Sequence, residues 1–146
     1  MKWLWARAVW GRATDDAEGL TGKHRVLVVE DEALIAIVIE DTLADLGCEI
    51  VGPASSLGAA LRLAREEALD AAFLDVTIRG GDVFPVAEIL LQRGVPFVFS
   101  SGYDDWALPD AFRGQRRLTK PFTDFELATM IRTVCRHPDR SPVIAA

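Results

Sequence analysis

The chain has 146 residues, half of them apolar and 26% charged, with a formal net charge of -6. That length fits one ordinary domain with its own core. The acidic balance argues against a nucleic-acid surface, which needs clustered Lys and Arg. No run approaches the roughly 20 apolar residues of a membrane span.

Residues 1–23 differ in character from the rest. Trp3, Trp5 and Trp10 stand among Lys2, Arg7 and Arg12. Arg7 breaks the apolar run and no long apolar region follows, so a signal peptide is rejected. Two readings fit this segment: a flexible extension outside the domain, or a short amphipathic stretch that meets a membrane surface or a partner. The domain is expected over 24–137, with a tail at 138–146. Cys48 and Cys135 fit no metal-ligand spacing and are expected as reduced thiols of a cytoplasmic protein.

From Arg25 onward, short apolar runs alternate with helical patterns. Residues 25–30 read as a buried strand. Residues 33–46 carry apolar side chains at 34, 35, 38, 39, 43 and 46, a helical stripe stopped by Gly47. Residues 48–52 form a second strand closed by Gly-Pro. Ser56 can cap a helix running to about Glu67. A third strand covers 70–75, the stretch "TIRGGD" is a loop, and a third helix covers 83–93 with Pro85 in its first turn. Residues 96–100 make a fourth strand. A long irregular link follows, with room for one short helix limited by Pro109. A fifth strand at 116–120 and a helix at 124–136, capped by Thr123 or Asp124, complete the pattern. Five strands alternating with helices predict a parallel sheet covered on both faces, a doubly wound α/β fold. In such a sheet ligands sit beyond the carboxyl ends of the strands.

Those ends carry an unusual set of residues. The first strand runs into Glu30, Asp31 and Glu32, the third ends in Asp75, the fourth in Ser100 and Ser101, and the fifth in Lys120. With a strand order of 2-1-3-4-5, one rim holds carboxylates, a hydroxyl and an ammonium. Clustered carboxylates repel one another and call for a cation. Oxygen-only ligands suit Mg²⁺ with several waters retained. A carboxylate beside that ion can accept a phosphoryl group while a lysine neutralises the transferring oxygens.

The stretches "VLVVEDE" at 26–32, "AFLDV" at 72–76, "FVFSSGY" at 97–103 and "LTKPF" at 118–122 together resemble a response-regulator receiver domain of two-component signalling. The resemblance spans about residues 24–137. "FSSGY" further resembles the subgroup with a Phe-Ala-Thr-Gly-Tyr fourth strand. The resemblance implies a flavodoxin-like sheet. It makes Asp75 the phosphoacceptor, Asp31 a direct Mg²⁺ ligand, Glu30 a ligand mainly through water, and the Thr77 backbone carbonyl a further ligand. Ser101 becomes the switch hydroxyl and Lys120 the phosphoryl-pairing cation, placed by Pro121 through a cis Lys-Pro bond.

Arg117 stands where many receivers carry an aromatic residue, three positions before the lysine, so the usual coupled switch is not expected; the region after the fourth strand is short of a full helix, so the usual receiver dimer is not expected either. Tyr103 can substitute as the moving aromatic, and Trp106 can anchor an output contact. No basic output domain follows in the sequence, and a stand-alone receiver is expected. Three functions compete. The first is a phospho-switch, loaded by a histidine kinase or phosphotransfer protein, that docks on a protein effector. The second is a phosphoryl shuttle or sink in a phosphorelay. The third is an aspartyl-phosphate hydrolase, disfavoured because Thr77 stands where such phosphatases often place a second Asp. Beyond self-phosphotransfer and slow self-dephosphorylation, no enzyme activity is expected.

Overall fold

The computed structural model describes residues 22–102 and 108–136. The extension at 1–21, the tail from 137, and the output residues Tyr103 and Trp106 lie outside the described residues.

Strand β1, Arg25–Val29, is buried from Val26 onward. Its side chains alternate between two cores. Val26 and Val28 meet Ile39 and Leu43 from one layer of helices and Leu127, Ile131 and Val134 from its neighbour; Leu27 and Val29 meet Ala60, Ala64, Val86 and Leu90 on the opposite face. A strand covered on both faces has no polar side to show, which is why it reads as an unbroken apolar run.

Helix α1, Ala33–Asp45, contains the β-branched run "LIAIVI" yet is helical, because Ala36, Ile39 and Leu43 fall on one face and bury there. The opposite side leaves Leu34 at 79% exposure, with Ile37 and Val38 also exposed. Gly47, at φ 88°, turns the chain out of the helix.

Strand β2, Glu49–Ala54, runs past the Gly52–Pro53 pair that was expected to end it. It is the edge strand, where proline's missing N–H costs least. A register shift in its pairing with β1 lets the Ala54 carbonyl accept from the Glu30 amide at 3.0 Å. Helix α2, Leu57–Glu66, starts where expected, with Ser56 Oγ accepting from the Ala59 amide at 3.3 Å.

Strand β3, Ala71–Asp75, is central. The "TIRGGD" stretch, expected as a plain loop, forms a small antiparallel ribbon of β4, Thr77–Ile78, and β5, Gly81–Asp82. The turn between them places the Arg79 carbonyl to accept from the Leu57 amide at 2.8 Å, which ties the ribbon to the start of α2. Helix α3, Phe84–Arg93, ends at Gly94 with φ 71°, and the Arg93 guanidinium donates to the carbonyls of Ala64 and Glu67 at the end of α2.

Strand β6, Phe97–Ser101, is followed after the link by a single 3₁₀ turn, Asp110–Phe112, set directly after Pro109. Phe112 stacks on Phe84 at 5.6 Å and meets Phe97 and Phe99 edge-on, so the end of the link is pinned to the core. Strand β7, Arg116–Thr119, leads into a cis Lys120–Pro121 bond, as expected, and then helix α4, Asp124–Arg136. Of the two capping candidates, Thr123 acts: its Oγ1 accepts from the Glu126 amide while the Glu126 carboxylate accepts from the Thr123 amide, a capping box.

The main sheet has the order β2-β1-β3-β6-β7, all parallel. With the small ribbon set aside, this is the expected 2-1-3-4-5 flavodoxin-like topology.

Gly52 is the tightest backbone position in this frame. Its φ is 105°, and an added Cβ would stand 2.8 Å from the Ala54 nitrogen and 2.9 Å from the Val28 carbonyl oxygen. Gly52→Ala is expected to destabilise the fold by about 1–3 kcal/mol, read as a lower urea midpoint at unchanged slope.

Candidate functional site

The carboxyl ends of β1, β3, β6 and β7 converge on one rim, as the strand order requires. The turn after β1 presents Glu30 and Asp31, and the last residue of β3 is Asp75. One ligand atom from each of these three lies within 4.8 Å of the others. Glu30 and Asp75 are buried, at 2% and 6% exposure, while Asp31 is half-buried.

Lys120 reaches this cluster from the end of β7. Its Nζ lies 3.1 Å from Asp75 Oδ2, 3.3 Å from Glu30 Oε1 and 3.8 Å from Glu32 Oε1. The backbone adds donors. The Glu32 amide donates to Glu30 Oε2 at 3.1 Å, and the Thr77 amide donates to Asp75 Oδ1 at 3.3 Å.

Burial first, and then the negative charge of Asp75, raises the Glu30 carboxyl to about 7. Burial also raises the Asp75 carboxyl, and Lys120 partly offsets that. For Lys120, burial acts to lower the ammonium's pKa, but the pull of Asp75 and Glu30 outweighs it and the net shift is upward. The pair of carboxyls thus shares too little positive charge, and both are pushed upward, Glu30 to about 7. Glu30 Oε1 is buried and, despite the nearby ammonium, has no partner in hydrogen-bond geometry among the described residues. Three close oxygen donors, one with a spare buried lone pair, fit a hard divalent ion such as Mg²⁺ that retains part of its water.

Ser101 ends β6 on the opposite side of the sheet from Asp75. Its hydroxyl donates to the Gly102 carbonyl at 3.2 Å, and its own carbonyl accepts from the Lys120 amide at 2.7 Å. The structure therefore brings Glu30, Asp31, Asp75 and Lys120 into one cluster, with Thr77 beside Asp75 and Ser101 adjoining Lys120 through the backbone. Arg117 lies exposed in β7, opposite Phe99 in register. The sequence reading named two rim residues without giving them a site role. Glu32 adds a third carboxylate within 4 Å of Lys120, and Ser100, passed over in favour of Ser101, is the register partner of Asp75. The signal for Ser100 was a hydroxyl in an otherwise apolar strand.

Among the described residues, no helix is long and apolar enough to cross a membrane. The family model described as "Response regulator receiver domain" matches residues 26–132. Among curated proteins, the transcriptional regulatory protein PdtaR of Mycobacterium tuberculosis is 32% identical over 122 residues, covering 81% of this chain and 59% of that protein. A probable transcriptional regulator, ycf27, of Guillardia theta is 32% identical over 128 residues, covering 84% and 49%. The chain thus spans about half to three-fifths of the length of these relatives. Among solved structures, SdrG from Sphingomonas melonis Fr1 is 38% identical with a TM-score of 0.68, covering 79% of this chain and 99% of that one. A BeF3-activated conformation of SdrG is also 38% identical, at a TM-score of 0.66, covering 80% and 99%. The response regulator PhyR from Brucella abortus is 26% identical at 0.71, covering 95% and 60%. With the family model matched over most of its length and the expected strand-end cluster in place, the chain belongs to the response regulator receiver domain family.

Proposed function

We propose that this domain accepts a phosphoryl group on Asp75 from a histidine kinase or phosphotransfer protein and passes the signal on through a protein contact. The observation that carries this reading is a buried carboxylate at a central strand end, 3.1 Å from an ammonium and within reach of two further carboxylates. In the transfer, an Asp75 oxygen attacks phosphorus, the donor's nitrogen–phosphorus bond breaks, and the imidazole leaves with the electron pair and takes up a proton. Glu30, Asp31, Asp75 and the Thr77 carbonyl would hold Mg²⁺. When bound, that ion neutralises charge on the phosphoryl oxygens. The Thr77 amide fixes the carboxylate's orientation, and Lys120 moves with the charge from Asp75 to the incoming phosphoryl group. SdrG, similar to this chain, has been solved in a BeF3-activated conformation, which supports the same site chemistry here.

The output begins at Ser101. Its hydroxyl gives up the Gly102 carbonyl and turns to the phosphoryl oxygens, which pulls on the link after β6. That link is pinned at its far end by the Phe112 ring cluster. Ser101 and the ring cluster around Phe112 then border the face from which an effector would read the phosphorylated state. Arg117 offers no aromatic ring to follow Ser101 inward.

A small phosphodonor with Mg²⁺ is expected to place one acid-stable, base-labile phosphoryl group on the protein, and Asp75→Asn is expected to take none. Label retained undiminished in that variant would refute the assignment.

The pH dependence follows from Glu30. Its folded pKa of about 7 lies above its ordinary value of 4.5, so the folded state holds this proton more tightly than the unfolded state. That contribution is complete below the unfolded value and is lost as pH rises through 7. Metal-free stability should fall between about pH 5 and pH 8, by at most about 1.4 kcal/mol per pH unit from this group. Glu30→Gln should flatten the fall. Mg²⁺ replaces the proton, so its thermal shift should grow over the same interval and disappear in Asp31→Asn. A shift independent of pH, or one retained in Asp31→Asn, would count against the site.

Lys120→Ala removes the cation between two buried carboxylates. It is expected to destabilise the metal-free protein by about 3 kcal/mol at pH 8 and by less at pH 5, where Glu30 is protonated. Urea titrations at the two pH values read the difference.

A further inference from the structure

Ser100 is a buried polar residue that neither the fold nor the phosphoryl-transfer reading uses. Its side chain is fully buried, and its hydroxyl has no hydrogen-bond partner among the described residues. Buried hydroxyls are ordinarily paired, and one left alone needs a reason. The strand does not demand it. Phe97, Val98 and Phe99 before it are apolar.

The register shows where the hydroxyl lies. Val98 pairs with Phe73, and both belong to the core under α1 and α4. Two residues further on, Ser100 pairs with Asp75, and the period of two puts both side chains on that same side. On the other flank Ser100 pairs with Leu118, also in that core, and Lys120 follows two residues later. Lys120 leaves from the end of β7, yet its Nζ stands 3.1 Å from Asp75 on β3. Its side chain therefore crosses the end of β6, and Ser100 is the β6 residue facing that crossing.

We propose that the Ser100 hydroxyl donates to the acyl oxygen of Asp75 once Asp75 is phosphorylated, which rests on the reading of Asp75 as the acceptor. In the free protein both carboxylate oxygens already have donors, the Thr77 amide on Oδ1 and the Lys120 ammonium on Oδ2. Phosphorylation changes that balance. With the ester at Oδ1, the charge moves outward to the phosphoryl group and Lys120 follows it, so Oδ2 remains as the acyl oxygen and loses its ammonium donor. Mg²⁺ held by Asp75 would take one lone pair of that oxygen, and the other is open to the Ser100 proton from the neighbouring strand. A hydroxyl that is idle in one state becomes paired in the other, and so tilts the equilibrium toward the phosphorylated form.

The test uses the full chain with beryllofluoride and Mg²⁺ as the probe, together with thermal unfolding of the unliganded protein. Ser100→Ala should leave the free protein's melting temperature unchanged or higher, and should weaken beryllofluoride binding by about five- to a hundredfold, the range for stranding a buried acceptor. Ser100→Cys, close in shape with a weak donor, should fall between alanine and wild type. If Ser100→Ala binds beryllofluoride as wild type does, the proposal is wrong. It is equally wrong if Ser100→Ala lowers the melting temperature of the free protein, because the hydroxyl would then have a partner before phosphorylation. Beryllofluoride binding that survives in Asp75→Asn would instead overturn the reading of Asp75 itself, which separates the two failures.

Discussion

Lys120 brings one ammonium within 4 Å of Glu30, Glu32 and Asp75, and two of those three carboxylates are buried. Burying carboxylates costs free energy unless a positive charge or a proton accompanies them. Here both do: Lys120 serves Asp75 most closely, and Glu30 is left with a carboxyl poised near neutrality. The cluster is an arrangement awaiting further positive charge, which explains why a structural core would tolerate it at a sheet rim. A set of groups built only for stability would be satisfied by its own members.

The surrounding fold keeps this tension from relaxing. β1, β3 and β6 are held in register with both faces packed, so their ends cannot drift apart. The ribbon after Asp75 is tied to the start of α2 through Arg79, and α2 is tied at its other end to α3 through Arg93. Those contacts fix the Thr77 amide against Asp75. In the same core, Phe84, Phe97 and Phe99 grip Phe112 at the end of the link after β6. Asp75 is thus set in a tightly packed wall.

Much of this was legible in the sequence because the signals were redundant. Continuous apolar runs mark strands covered on both faces, and each run ends in a residue whose chemistry has no place in a core. Asp75 and Lys120 are readable on that ground before any coordinates are known. What escaped depended on relations between strands. β2 continues past Gly52 because it is an edge strand and because β1 shifts register to meet Ala54, and neither fact is local. The Thr77–Asp82 ribbon reads as a loop because two-residue strands are too short to show a period. Ser100 and Ser101 look interchangeable in sequence, but alternation places them on opposite sides of the sheet, one beside Asp75 and one beside the link.

The crossing made by Lys120 also ties chemical competence to the order in which the chain assembles. Lys120 and Asp75 are 45 positions apart, and Lys120 and Glu30 are 90 apart. Parallel strands with such separations pair only after long loops have closed, and such contacts are slow to form. The Asp75 carboxylate lies on a central strand, but its cation arrives with the last strand of the sheet. Until β7 is in place, Asp75 and Glu30 lack this ammonium. The buried carboxylates at the ends of β1 and β3 are therefore compensated only when the whole sheet is complete.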